Sequence, residues 1–488
     1  MAEPHTYTGN GQKATIANPD SITRDECLAL ARCGATAWNS WRERFPGDKF
    51  NNVARFKGCD FIQENISFEG FRFGQVNFDD ARFPSHQIFV RCVFGNSTSF
   101  EDASFLGSVR FDGSEFGAVD FSGCHFSGVA DFKACDFGGS AHFVECKFDA
   151  QSLFAGAFLR KDARFERSRF GHDAHFAGAL FGADTSFACC DFAGRADFGA
   201  KDWSYLRYVF QAPNRTLQEV QFLAERLSMS PIWIGNIDFS GAAFRDFVSF
   251  AGRVFLARAS FDIGRRPTRS WAEVVDGEES SFTEYALEST RFAQPPEFFD
   301  CKINQQLTFD DAVFPSPSGD TTAARAYRTL KLAFSEQQAT REEQRFFKLE
   351  MQEEAAAESG WKRWLYRAYE VTSDFGFSVW RPLVTLVLLP ALVAMLFYLL
   401  CMSVQHPKLW ASALAQDSQL TSEWLQFTFA NMAPLPDGEL LKDLREDLFG
   451  SNTYAAVIAL KLETLQKVLA LAGYFLFGLA LRNLFKMK

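Results

Sequence analysis

The stretch VDFSGCHFSGVADFKACDF, residues 119–137, places a Phe at every fifth or sixth position. Each ring has a small residue two places before it, and the pairs are Val119/Phe121, Cys124/Phe126, Ala130/Phe132 and Cys135/Phe137. Neither the 3.6-residue period of a helix nor the two-residue period of a strand fits this spacing. A fixed short repeat is instead typical of a stacked, solenoid-like architecture.

The repeat continues far beyond this stretch, since the chain has 56 Phe among its 488 residues. Its best-defined core positions are Phe111, Phe116, Phe121, Phe126, Phe132, Phe137, Phe143 and Phe148. After a looser patch at Phe154 and Phe158 it resumes at residues 165–198, with Trp203 predicted in the next ring position. Fainter copies extend the pattern over about residues 51–315.

The spacing predicts a four-sided coil in which each five- or six-residue piece forms one side. Alternate residues of an extended piece point the same way, so the Phe and the residue two before it both face inward. That second position must be small because the ring fills the interior. Seven cysteines occupy it, and we interpret them as buried structural thiols rather than a metal or redox site: Cys59, Cys92, Cys124, Cys135, Cys146, Cys190 and Cys301.

The segments VDFSGCHFSGVADF and ADFKACDFGGSAHF resemble the Phe-centred repeat of the pentapeptide-repeat proteins. That resemblance implies a mainly β fold, a right-handed quadrilateral β-helix, over residues 51–320 (the rod). We expect an N-terminal helical cap at residues 1–50 and a helical insertion at 212–232. The segment 264–280 is predicted to be a surface loop, and residues 321–375 a helical cap or stalk that ends in an interfacial helix.

The C-terminal part, residues 376–488, is predicted to be an α-helical transmembrane domain. PLVTLVLLPALVAMLFYLLCM, at 382–402, is long and apolar enough to span a bilayer, and a second span is expected at 460–484. Basic residues precede the first span and follow the second, which places both termini and the rod on the cytoplasmic side of a bacterial inner (plasma) membrane. The polar N-terminus shows no cleaved signal peptide.

Between the spans, SQLTSEWLQFTFANMAPLPDG (418–438) predicts a short helix at 420–434 that ends in a turn. The order span, short helix, span resembles that of the two-span, pore-loop ion channels. Candidate pore or mouth residues are Asn431, Pro434, Asp437, Glu439 and Gln466. The alternatives are a hydrogen bond between helices for Gln466 and a solvated loop for Asp437 and Glu439. No Thr-Val-Gly-Tyr-Gly-like filter is present, so the resemblance carries no ion selectivity.

These features give two main hypotheses for function. In the first, several copies, four or five, form a ring in the membrane and conduct ions, with cations favoured. In the second, the protein is a membrane-anchored scaffold whose rod docks a cytosolic partner. A third, borrowed from soluble pentapeptide-repeat proteins that imitate DNA and occupy gyrase, fits less well. We expect no enzyme activity, no cofactor, no metal site and, with a net charge of −10, no nucleic-acid binding.

Overall fold

The computed structural model describes residues 5–18, 22–45, 53–64, 66–200, 232–233, 235–255, 257–275, 278–299, 301, 307–405, 418–433, 438–450 and 454–486. The chain forms two compact units. The first comprises residues 1–316 and 325–337, and the second comprises residues 317–324 and 338–488.

The first unit contains the rod, in which two-residue strands stack into four parallel sheets, here called faces 1 to 4. Face 1 consists of Ala54–Arg55, Val76–Asn77, Thr98–Ser99, Val119–Asp120, Ala141–His142, Ala163–Arg164, Thr185–Ser186, Ile237–Asp238, Ala259–Ser260 and Leu307–Thr308. Face 2 consists of Arg82–Phe83, Ser104–Phe105, His125–Phe126, Lys147–Phe148, Arg169–Phe170, Asp191–Phe192, Ala243–Phe244 and Arg291–Phe292.

Faces 3 and 4 complete the four-sided coil. Face 3 consists of Gln87–Ile88, Val109–Arg110, Ala130–Asp131, Ser152–Leu153, Ala174–His175, Ala196–Asp197 and Val248–Ser249. Face 4 consists of Arg72–Gly74, Val93–Phe94, Glu115–Phe116, Asp136–Phe137, Phe158–Leu159 and Leu180–Phe181. Two further strands, Ile232–Trp233 and Val254–Phe255, pair with each other in a separate parallel sheet. The predicted mainly β solenoid is thereby confirmed.

Stacked rings fill the inside of the coil. Phe121 stacks on Phe143 one coil later, with ring centroids 4.9 Å apart and ring planes 8° apart. Phe121 also meets Phe132, from another face, edge to face at 5.5 Å. Both arrangements are favourable for aromatic quadrupoles. All eight of the best-defined core rings, Phe111 to Phe148, are buried.

The small inward position has a second role that the sequence analysis missed. Cys124 Sγ donates to the carbonyl oxygen of Phe100 at 2.9 Å, and Ser168 Oγ donates to that of Phe143. Cys92, Ser114, Cys135, Cys146, Cys190, Thr290 and Cys301 donate in the same way to a Phe carbonyl. Most of these carbonyls, such as that of Phe100, already accept a backbone N–H, so the bond mainly satisfies the buried thiol or hydroxyl itself.

In the looser patch of the repeat, a Leu replaces a Phe at one inward ring position. Leu159, not Phe158, takes the inward ring position, since the strand Phe158–Leu159 pairs with Asp136–Phe137 in that register. Phe154 keeps its inward position and stacks on both Phe132 and Phe176.

The coil is interrupted twice. Phe198 stacks on Phe250, 52 residues later instead of 22, and the predicted Trp203 and the predicted helical insertion up to residue 231 lie outside the described residues. The second interruption is an antiparallel hairpin, Ile263–Val275 with Glu278–Ser289. The predicted surface loop at 264–280 is therefore wrong. Asp276-Gly277, a two-residue hairpin turn signature, separates the two strands in the sequence.

Both ends of the coil are covered by side chains from neighbouring elements. At the N-terminal end, the hairpin β1 (His5–Gly9) and β2 (Gln12–Ile16) precedes α1 (Arg24–Arg32) and α2 (Ala35–Arg44). Trp38 of α2 packs on Phe56 and Phe73. Both helices lie within residues 1–50, the segment predicted as a cap, and the hairpin was not predicted. At the other end Tyr327, in α3 (Thr321–Glu336), packs on Phe314.

The second unit is helical. It contains α4 (Thr340–Ala357), α5 (Gly360–Ser373), α6, α7 (Ser418–Ala430), α8 (Glu439–Phe449) and α9 (Tyr454–Lys486). Helix α6 is continuous through Trp380–Pro382, a π-helical turn at Leu383–Leu388, and Leu389–Gln405. The π-helical turn lies just before Pro390, whose missing N–H disturbs the helical hydrogen bonds there.

Candidate functional site in the C-terminal helices

Two helices of the second unit are long and apolar enough to cross a membrane. The first segment is Trp380–Leu400 of α6, with mean hydropathy 2.6, and the second is Tyr454–Arg482 of α9, with mean hydropathy 1.5. At 1.5 Å per residue the first is about 31 Å long, close to the thickness of a bilayer core. Their exposed side chains include Leu388, Leu389, Leu392, Val393, Leu396, Phe397, Leu400, Val457, Ile458, Leu465, Val468, Leu471 and Phe475.

The two helices pack closely near the beginning of α6. A Cβ atom on Gly473 would lie 2.8 Å from Val387 Cγ2 and 3.2 Å from the carbonyl oxygen of Pro382, so only glycine allows this approach. Gln466 precedes Gly473 by seven residues, about 10 Å along α9. Gln466 is bonded to Tyr398, near the other end of the apolar part of α6. The stretch of α9 between them therefore runs alongside the first candidate span.

A buried hydrogen-bond network joins α7 to both candidate spans. Trp424 Nε1 donates to the carbonyl oxygen of Met395 at 3.1 Å, which ties α7 to α6. Gln466 Nε2 donates to the carbonyl oxygen of Thr428 at 3.1 Å, which ties α9 to α7. Tyr398 OH donates to Gln466 Oε1 at 3.2 Å and closes the network. Because Gln466 is bonded on both sides, its orientation is fixed by these contacts.

Apolar side chains surround this network. Tyr398 meets Phe427 edge to face at 5.1 Å, and Phe449 lies 5.5 Å from Phe427. Ala459 of α9, fully buried, belongs to the same cluster. The short helices α7 and α8 thus share one apolar core with the two candidate spans.

A charged cluster lies next to this core. Glu463 of α9 is 1% exposed, and its two carboxylate oxygens accept from different cations. Arg445 of α8 donates at 3.1 Å and Lys467, one turn along α9, at 2.8 Å. A buried carboxylate requires such partners, because removing it from water is costly. These contacts join α8 to α9.

The predicted site residues are separated by the structure. Gln466 lies in the network, whereas Glu439 is exposed in the first turn of α8. Asn431, just after α7, is fully buried, and in the part of the chain that the structure describes neither Oδ1 nor Nδ2 of its amide has a hydrogen-bond partner. Pro434 and Asp437 lie outside the described residues.

Sequence reasoning missed the partners that complete the site. Glu463 and Lys467 are four residues apart, a spacing that predicts a contact within one helix, but nothing in the sequence connects either of them with Arg445. Tyr398 gave no signal, since it is a single polar group in an apolar segment, and Thr428 contributes a backbone carbonyl, which no side-chain pattern reveals. Among the described residues, no group of three or more His, Cys, Asp or Glu side chains is placed to hold a metal ion.

Comparison with known proteins identifies the repeat. A family model described as pentapeptide repeats (9 copies) matches residues 89–136 and 116–157. This match covers residues 89–157 of the mainly β solenoid, which is followed by helices of which two are candidate membrane spans. No curated protein and no solved structure matches the chain.

Proposed function

We propose that the helical unit assembles with further copies of itself in a membrane and conducts ions, with the rod as a cytosolic collar. Two neighbouring polar groups carry this proposal: Gln466, bonded between α6, α7 and α9, and the Glu463 cluster between α8 and α9. Polar and ionisable groups inside a membrane are costly and commonly mark the pathway of an ion or proton. An anchor alone requires none of them.

Asn431 supports the same proposal. A buried amide without partners is destabilising by about 1–3 kcal/mol, so a role for its polar atoms would explain why this position holds Asn and not an apolar residue. It also follows the C-terminus of α7, where the helix dipole places partial negative charge. That charge favours cations. Two spans cannot enclose a path, so the proposal includes a ring of four or five copies.

The proposal is tested by ion flux from liposomes that contain the purified full-length chain. We expect release of K⁺ or Na⁺ down its gradient, and a loss of flux in Asn431→Leu. Phe429→Ala is the control variant, because Phe429 lies two residues from Asn431 but is 60% exposed. Liposomes that contain Phe429→Ala should release ions as fast as those with the wild-type chain. If the folded protein releases no more K⁺, Na⁺ or Cl⁻ than empty liposomes lose, ion conduction is wrong.

A second candidate function is that of a membrane-anchored scaffold, favoured by face 1. This face is an uninterrupted sheet of ten parallel strands, long enough to offer a flat, rigid docking surface. A charge reversal there, Asp238→Lys, should abolish co-purification of one defined cytosolic protein, while Asn431→Leu should leave it intact. Scaffolding fails if no protein depends on face 1 in this way.

A further inference from the structure

Helix α5, directly before the first candidate span, has an uncovered apolar stripe. Trp361, Trp364, Leu365 and Val371 are 69%, 71%, 58% and 62% exposed. At 100° per residue these four side chains lie on one side of the helix. Tyr366 and Tyr369, on the other side, are less exposed. Two exposed Trp rings in one stripe are unusual for a surface in water and mark an interaction site.

Two arginines border this stripe. Arg363 and Arg367 are one turn apart, so their guanidinium groups extend from the same side of α5. Within the described part of the chain, neither has an acidic partner. Lys362, on the other border, is 3.6 Å from Glu358. The result is an apolar stripe with unpaired positive charge along its edge.

The position of α5 relative to α6 is fixed by a tight turn. The chain turns through three residues with positive φ, Asp374, Phe375 and Gly376. Asp374 is paired with Lys348 at 2.9 Å and with Arg381 at 3.6 Å. Trp380, the first residue of the candidate span, is 73% exposed. The stripe is therefore held where the apolar part of α6 begins, at the level expected for lipid headgroups.

We propose that α5 lies on the cytosolic surface of the membrane and binds anionic phospholipids. Its Trp361, Trp364, Leu365 and Val371 side chains enter the boundary between headgroups and acyl chains, where Trp is favoured. Arg363 and Arg367 pair with lipid phosphates, and the surplus positive charge selects an anionic surface. This inference rests on the membrane anchoring in the proposed function, but not on ion conduction.

The test uses the full-length chain in vesicles of phosphatidylcholine, with or without phosphatidylglycerol. Lipids brominated on the acyl chain near the headgroup quench Trp rings that lie close to them. The quenching lost in Trp361→Phe/Trp364→Phe reports these two rings. The difference in quenching between wild type and this double variant should be large with phosphatidylglycerol and smaller without it. It should also fall at high salt, because salt screens the attraction between the arginines and the lipid phosphates.

Charge variants separate the role of the arginines from a folding defect. Arg363→Gln/Arg367→Gln should lose the dependence on phosphatidylglycerol, whereas Arg363→Lys/Arg367→Lys should keep it. Lys442→Gln, an exposed basic position on α8, should behave as wild type.

Three outcomes would overturn the inference. If both Trp rings are quenched by water-soluble acrylamide and not by brominated lipid, while the protein floats with the vesicles, α5 does not bind the membrane but the proposed function stands. If protection of the rings rises with protein density and not with lipid charge, a second copy covers the stripe. If the protein does not float with vesicles, membrane anchoring and the proposed function fail together.

Discussion

The stacked Phe rings set the stability of the rod one residue at a time. Phe132 is fully buried and touches rings above, below and beside it, among them Phe111 and Phe154 at 4.8 Å. Phe132→Ala should destabilise the rod by about 3–5 kcal/mol, because the lost ring leaves a cavity that the rigid coil cannot close. The measurement is the thermal midpoint of the β signal in circular dichroism. Leu106→Ala, at an exposed position of the preceding coil, should change it little. Equal shifts in the two variants would contradict this account of the core.

The inward cysteines predict a pH dependence of stability. Burial raises the pKa of Cys92 to about 12 and the pKa of Cys124 well above its usual range. In the unfolded chain a thiol titrates near pH 8.5, so from there upward only the unfolded state loses the proton. Stability is therefore complete below about pH 8.5 and falls as the pH rises toward the folded pKa, by about 1.4 kcal/mol per pH unit for each thiol.

This dependence is measured by comparing the rod's thermal midpoint at pH 8 and pH 10. Cys124→Ala/Cys135→Ala should show a smaller fall than wild type, even if its midpoint at pH 8 is lower through the loss of two hydrogen bonds. Other titrating groups contribute equally to both proteins. If the thermal midpoint falls equally in wild type and in the double variant between pH 8 and pH 10, these thiols do not titrate on unfolding.

Among the elements of the rod, the coil after the first interruption depends on Arg253. This residue occupies an inward position that is small elsewhere, and its fully buried guanidinium donates to the carbonyl oxygens of Phe198 and Ala179. It also lies 5.1 Å from the centre of the Trp233 ring. Arg253 thus takes over the donor role that Cys or Ser has in other coils.

Arg253→Ala should loosen the coils on both sides of the interruption, because several carbonyls lose their donor and a cavity forms. Each buried carbonyl left without a donor is expected to cost about 1–3 kcal/mol of stability. Hydrogen exchange should accelerate at residues 176–200 and 237–255 but not at 100–150. Arg195→Ala, an arginine of the same region that is largely solvent-exposed, is the control. If Arg253→Ala and Arg195→Ala both keep the wild-type protection at these residues, Arg253 does not hold the neighbouring coils together.

In the helical unit, Glu463 holds α8 against α9. Glu463→Gln should leave Arg445 and Lys467 without their shared carboxylate, and α8 should separate from α9 more often. Faster hydrogen exchange across Glu439–Phe449 would report this separation. Lys461→Gln, exposed on the same helix, should leave the exchange unchanged. If α8 keeps its protection from exchange in Glu463→Gln, the prediction is wrong, and the apolar contacts around Phe449 are enough to hold α8 against α9.

For the whole molecule, the two candidate spans predict behaviour typical of an integral membrane protein. The full-length chain should remain in the membrane fraction after extraction with alkaline carbonate, because a chain held by two inserted spans is not released as an adsorbed one is. Protease added outside intact cells should leave the rod uncut if the rod is cytosolic, because the protease cannot cross the membrane. A chain that is monodisperse in water without detergent would contradict both the anchoring and the orientation.

The architecture of the rod could be predicted because its repeat is a local rule. The steps of five and six residues fix the inward Phe positions, and the small residue two places before each ring follows from the volume left inside. Where two neighbouring residues are both large and apolar, the rule fails. Phe158 was assigned to the ring series, yet Leu159 faces inward, because strand pairing with the adjacent coil decides the register.

The helical unit shows the limit of the same reasoning. Length and hydropathy alone determine that α6 and α9 are candidate spans, and the helical spacing of Leu420, Trp424 and Phe427 predicts α7. The pairing of Glu463 with Arg445, the bonds on both sides of Gln466, and the burial of Asn431 without a partner were decided only by the tertiary structure. Solenoid contacts recur at a fixed sequence separation and can be read along the chain, whereas contacts between helices join residues at arbitrary separations, so they exist only once the helices are packed.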